Sequence, residues 1–172
     1  MSKFDKIDIA KKIFIFAPSI MLFISVLSEL DPNYLDLKYF SFNFTHILIF
    51  YCSLRKKSSI GYGYIFIAGL INDVVIAIPL GLSSLMYLII CSFAAYLKNI
   101  TLRPSLTKDW IYFLITILVV NSFSFTMLTI IFSYTQSYTD ILINSFYTFI
   151  FYIVFAYCFK NLETKIFGKS DV

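Results

Sequence analysis

The chain has 172 residues, of which 59% are hydrophobic and 14% charged, and its mean hydropathy is +0.82. Soluble domains run near about 45–50% apolar and about 25% charged, so this chain has too little polar surface to cover a soluble globule of its size. The net charge of +4 does not point to nucleic acid either, because the bases flank apolar spans instead of forming one stripe.

From Lys57 to Lys98 the sole formal charge is Asp73, and none falls at 110–139 or 141–159. A helix needs about 20 apolar residues to cross the hydrocarbon core of a bilayer. The neutral stretches predict an all-α integral membrane protein with six transmembrane helices, near 12–30, 37–54, 59–78, 82–97, 110–134 and 139–159. The first follows a basic leader (Lys3, Lys6, Lys11, Lys12). No A-x-A-like cleavage site follows it and more spans come after, so it reads as an uncleaved helix. The second carries His46 and ends at the basic turn Arg55-Lys56-Lys57. The third and fourth form an antiparallel pair joined by Pro79-Leu80-Gly81, where proline removes a backbone donor and glycine adds freedom. The fourth is short for a full crossing. Its turn is either a tight hairpin, which we favour, or a corner sunk below the surface with Ser83 and Ser84 satisfying freed backbone groups. A connector at about 98–109 leads to the fifth and sixth. No loop is long enough to fold separately, so a single transmembrane domain over 1–172, a compact bundle, is expected.

Cytoplasmic loops carry an excess of Lys and Arg. With the N-terminus inside, every one of the 14 bases except Lys38 falls on the inner side, while Glu29, Asp31, Asp36 and Asp140 fall outside. The alternation predicts six crossings and two cytoplasmic termini.

Asp73 is the candidate site. An unpaired carboxylate in hydrocarbon is costly, so intramembrane acids face a bundle interior or a wet cavity. It lies about 24 Å from Lys57 along a helix, in the outer half of the bilayer. Gly69 and Ala77 flank it one turn away on either side, a face that lets another helix approach closely. Two roles compete, a proton- or ligand-binding acid and a structural pin bonded to a neighbouring helix, and the lack of a matching base favours the pin. Asn144 is as far from Lys160 as Asp73 is from Lys57, which makes it the first-choice partner, ahead of Asn43, Asn121 and His46. The single histidine excludes multi-histidine zinc sites, and His46 reads as a packed polar residue. Cys52, Cys91 and Cys158 lack CxxC spacing and read as packed thiols. There is no nucleophile frame, no phosphate loop and no paired acids on one helix, so no catalytic residue, metal or cofactor is expected. Arg55, Lys56 and Lys57 read as a topology determinant first and a contact for anionic lipid or a cytoplasmic partner second.

Two stretches carry a family resemblance. Ile47-Leu48-Ile49-Phe50-Tyr51-Cys52-Ser53-Leu54-Arg55 is similar to an apolar helix ending in an aromatic and an arginine. Gly69-Leu70-x-x-Asp73 followed by Pro79-Leu80-Gly81-Leu82 is similar to a G-L-x-x-D-x-x-x-G-x-P-L-G pattern. Both resemble the bacterial rod-shape-determining MreD family, with the motif confined to about 47–97 and the remainder matching in hydropathy. Ala77 stands where the family commonly has glycine, Ser84 replaces a small apolar residue, and the prolines often found near 41–43 and after Arg55 are missing. Ala77 is expected to keep that helix face small enough for close packing.

The resemblance implies a non-enzymatic scaffold of the cell-elongation (peptidoglycan synthesis) machinery in the bacterial inner membrane. Its implied partner is MreC, with MreB, RodA and a penicillin-binding transpeptidase in the wider complex, and Gly69, Asp73, Ala77, Pro79, Gly81 and Asn144 are its candidate structural or partner-surface residues. The family is also similar in architecture to the substrate-binding subunits of vitamin transporters. A substrate-capturing subunit is therefore the alternative, and it needs a polar cavity among the outer halves of the helices.

Overall fold

The computed structural model describes residues 16–27, 42–55, 60–101, 105–133 and 137–167, with the backbone alone at 166 and 167. Among these residues there are six helices and no strands: α1 (Phe16–Leu27), α2 (Phe44–Leu54), α3 (Tyr62–Ile76), α4 (Leu82–Ile100), α5 (Leu106–Ile130) and α6 (Tyr138–Phe167).

The helix ends depart from the charge-based expectation in instructive ways. α2 begins at Phe44, not near 37, because Asn43 is held outside helical geometry (φ −90, ψ 88) while its N–H donates to Thr148 Oγ1 at 3.0 Å. α5 begins at Leu106, not 110: Ser105 is its N-cap and accepts the Lys108 N–H at 3.3 Å, so Lys108 and Asp109 sit inside the first turn. α4 runs to Ile100 and has 19 residues, about 28 Å, so it is not short. α6 continues past Lys160 and has 30 residues. A charge marks where a chain leaves hydrocarbon; a cap marks where a helix begins or ends.

α4, α5 and α6 are long and apolar enough to cross a membrane, whereas α1, α2 and α3 are apolar but shorter in their described extents. Only 28% of the most apolar stretch of α5 and 22% of that of α6 is buried. Ile115, Val119, Phe146, Ile153 and Val154 instead point outward. An exposed apolar surface of this extent is a lipid-facing surface.

The helices alternate in direction, as the contacts at their ends establish. The end of α1 meets the start of α2 through Ser25 and Thr45, whose hydroxyls are 2.6 Å apart. The starts of α2 and α6 meet through Asn43 and Asn144, and their far ends through Tyr51 and Glu163. One end of the bundle thus holds the Pro79–Gly81 corner, and the other holds Arg55, Lys98 and Asp109. The closest packing is between α3 and α4. Residues of all six helices share one buried cluster, with Phe50, Phe113 and Tyr152 at its centre. The Phe113 and Tyr152 rings stack 4.4 Å apart, and Phe50 meets Tyr152 edge-on. Trp110 lies flat on Phe149, centroids 4.4 Å apart, while its Nε1–H donates to the Phe149 carbonyl at 2.9 Å. Cys52 and Cys91 are packed as expected, but Cys158 is exposed on α6.

Candidate functional site

Asp73 is fully buried, and it ends one helix while starting the next. Its backbone carbonyl accepts the N–H of Ala77 and that of Ile78 (3.1 Å), closing the last turn of α3. Its carboxylate reaches across the corner to the open N-terminus of α4. Oδ2 accepts the Gly81 N–H at 2.6 Å and Oδ1 the Ser83 N–H at 2.8 Å. Between them Pro79 accepts the Leu82 N–H at 3.3 Å, and Gly81 takes φ 97, ψ −13. That is the third-position conformation of a type II turn, which glycine adopts without strain. The corner is therefore a tight hairpin.

The geometry explains how a carboxylate is buried here with no base among its described neighbours. A helix N-terminus presents unsatisfied N–H groups and the positive end of a macrodipole. Two N–H bonds to a carboxylate are each worth about 1.5–3 kcal/mol. The pin is thus local, made with backbone of the adjoining turn. Asn144 is not its partner: on α6 it accepts Asn43 Nδ2–H at 2.8 Å.

Gly69 is where α3 and α4 touch. A Cβ there would lie 2.4 Å from Ser84 Cα and 2.6 Å from Ser84 N, so only glycine fits this approach. Ser84 Oγ donates to the Phe66 carbonyl at 3.0 Å, and Asn72 Nδ2–H donates to Ser83 Oγ at 2.9 Å. Ala77 does not serve close packing. It is exposed and stands at φ 57, ψ 41, the left-handed position that terminates α3. Glycine suits that conformation, which accounts physically for glycine at the matching family position.

Beside the hairpin lies a cavity of about 480 Å³ to which all six helices contribute. Asn43, Asn72, Asn121, Asn144 and His46 all line it. Asn43, Asn121, Asn144 and His46, which sequence depth offered as partners of Asp73, therefore gather around this half-open pocket and not around the carboxylate. His46 packs edge-on against Tyr87, centroids 5.6 Å apart, and its Nδ1 is buried without a hydrogen-bond partner. A buried polar atom left so costs about 1–3 kcal/mol.

At the opposite end Arg55 turns inward. Its Nη2 lies 3.7 Å from Asp109 Oδ2, and its Cζ sits 5.3 Å over the Tyr51 ring. Tyr51 O–H donates to Glu163 Oε2 at 3.1 Å, and Lys98 Nζ donates to the Arg55 carbonyl at 3.4 Å. Arg55 thus joins α2 to α5, instead of standing free for lipid; Lys56 and Lys57 lie outside the described residues. Asp109, Glu163 and Tyr51 were not singled out from sequence. The two acids lie close to bases in the sequence, and only their burial distinguishes them. Among the described residues, no group of three or more His, Cys, Asp or Glu side chains could hold a metal ion.

Described residues that form helices alone, three of those helices long and apolar enough to cross a membrane, define a helical membrane protein. The family model described as rod shape-determining protein MreD matches residues 10–166, and the chain belongs to that family. Its class is a membrane component of the shape-determining system, with a role in rod shape determination. No curated protein and no solved structure gives a match.

Proposed function

We propose that the chain is a non-enzymatic scaffold of the cell-elongation machinery in the bacterial inner membrane, crossing it six times with both termini cytoplasmic. In this role it binds MreC and links MreB filaments to the peptidoglycan synthases, RodA and its penicillin-binding transpeptidase. The observation that carries the proposal is the rigid α3–α4 hairpin. Gly69, Asp73 and Gly81 each have one conformational or packing demand there, and all serve the same corner. Its tip, Leu80, is 72% exposed, so a stiffly held apolar side chain is offered to a partner at the membrane surface. Alternating helix directions and the clustering of Arg55, Lys98 and Lys160 toward one end support a cytoplasmic basic end and an outer corner.

Two variants test the role in the native host. Asp73→Ala removes both carboxylate caps, and reduced protein abundance or reduced recovery of MreC is expected, with rods rounding up. Leu80→Asp leaves the caps in place and is expected to lower MreC recovery at normal abundance. Normal abundance, full MreC recovery and normal rods in both variants would sink the scaffold role for this hairpin.

One observation favours a second reading, a substrate-capturing subunit of a vitamin-type transporter: the polar cavity beside the corner. Thermal stabilisation of the purified protein by a member of a vitamin panel, with MreC recovery unaffected by either variant, would turn the preference toward it.

A further inference from the structure

The cavity has a chemistry of its own. Its volume of about 480 Å³ lies in the range of small-molecule sites, about 300–1,000 Å³. Asn43, Asn72 and Asn121 each give an amide N–H to a neighbour: Asn144 Oδ1, Ser83 Oγ and Ser145 Oγ, respectively. The carbonyl oxygen of each remains an acceptor. Ser124 adds a hydroxyl and Asp140 a carboxyl group at the first turn of α6, while Ile76, Met86 and Leu128 supply apolar wall. Among the described residues no Lys or Arg lines the cavity.

The second N–H of each amide stays a donor as well, so amides and hydroxyls together match a guest whose groups both donate and accept, as hydroxyls do. Among the described residues the lining offers a phosphate or carboxylate no cation, and the Asp140 carboxylate repels one. The apolar wall suits the carbon face of a ring or the glycerol end of a lipid. His46, with its unpartnered Nδ1, belongs to the same wall. An all-apolar packing of these six helices would need none of these groups; a bundle in hydrocarbon retains them where something polar is held.

We infer that the cavity binds a neutral, polyhydroxylated group, a sugar or glycerol moiety, presented by a free small molecule or by the head of an uncharged lipid. This goes beyond the scaffold role and does not depend on it, because binding is read on the purified chain without partners.

The test is thermal unfolding of the full chain in a detergent without a sugar head, followed by Trp110 fluorescence. Methyl β-glucoside is the free probe, monoglucosyl diacylglycerol the lipid probe, and phosphatidate and ethanolamine are the charged controls. At saturation a neutral probe is expected to raise Tm by about 5 °C. A rise with both neutral probes identifies a free sugar as sufficient, and a rise with the lipid alone identifies a lipid head. Ser124→Leu fills the cavity from α5 and is expected to abolish the shift. Ile141→Phe fills it from α6 and serves the same purpose if the first variant does not fold. The inference is overturned if neither neutral probe shifts Tm, if phosphatidate or ethanolamine shifts it equally, or if the folded filled variants keep the full shift.

Discussion

Asp73 and Asp109 are both buried in this bundle, and they are stabilised in opposite ways. Asp73 at the corner is held at both oxygens by backbone N–H groups of the adjoining turn. Asp109 at the basic end faces Arg55, the C-cap of α2 and far away in the chain, at 3.7 Å. The first arrangement shapes a hairpin from within and needs no other helix. The second ties separate helices together and exists only once they have assembled. A capped carboxylate is therefore a device of local architecture, and a buried ion pair one of assembly.

The sharpest break of that contrast is Asp73→Ala. It removes two charge-assisted bonds and leaves two N–H groups in an apolar setting, a loss of about 3–5 kcal/mol, read as lowered resistance to unfolding in detergent. Asp73→Asn is expected to retain part of this, since one oxygen still accepts. Gly69→Ala comes next. The new methyl meets the Ser84 backbone, and overpacking of this kind costs about 1–3 kcal/mol. Its signature is that both caps survive while α3 and α4 separate, so cross-linking between cysteines placed on the two helices should fall.

Arg55→Met is smaller, about 1–3 kcal/mol, because the pair is long and Arg55 keeps some exposure. The sign of the contrast can be checked by adding Asp109→Leu. The double variant is expected to recover most of the loss, as an apolar pair replaces an ionic one. No single partner change can rescue Asp73→Ala, whose partners are backbone. The smallest effect runs the other way: Ala77→Gly relieves the left-handed cap of α3 and should stabilise by about 0.5–1 kcal/mol.

Legibility in the sequence follows the same division. Asp73, Pro79 and Gly81 lie within nine residues of chain, so their joint meaning could be read from spacing. What spacing could not supply was the acceptor geometry, and depth matching pointed to Asn144 because it treats helices as parallel rods without faces. Ala77 looked like a small packing residue since it stands one turn from Asp73, as Gly69 does, but the helix ends there and the residue is exposed. The Arg55–Asp109 and Tyr51–Glu163 contacts join residues of different helices, and no local pattern marks such pairs.

The helical class and the apolar character of the helices follow from the sequence, because apolar length and the placement of charge are set residue by residue. So does the existence of a corner at Pro79–Gly81, which depends on the covalent constraints of proline and glycine. The tertiary structure decided everything that depends on which faces meet. It assigned Asp73 to the α4 N-terminus, gave Gly69 its contact with Ser84, turned Arg55 inward, and collected four asparagines and His46 around one cavity. Burial and hydrogen-bond partners are properties of packed helices, and packing is settled only when all six are in place.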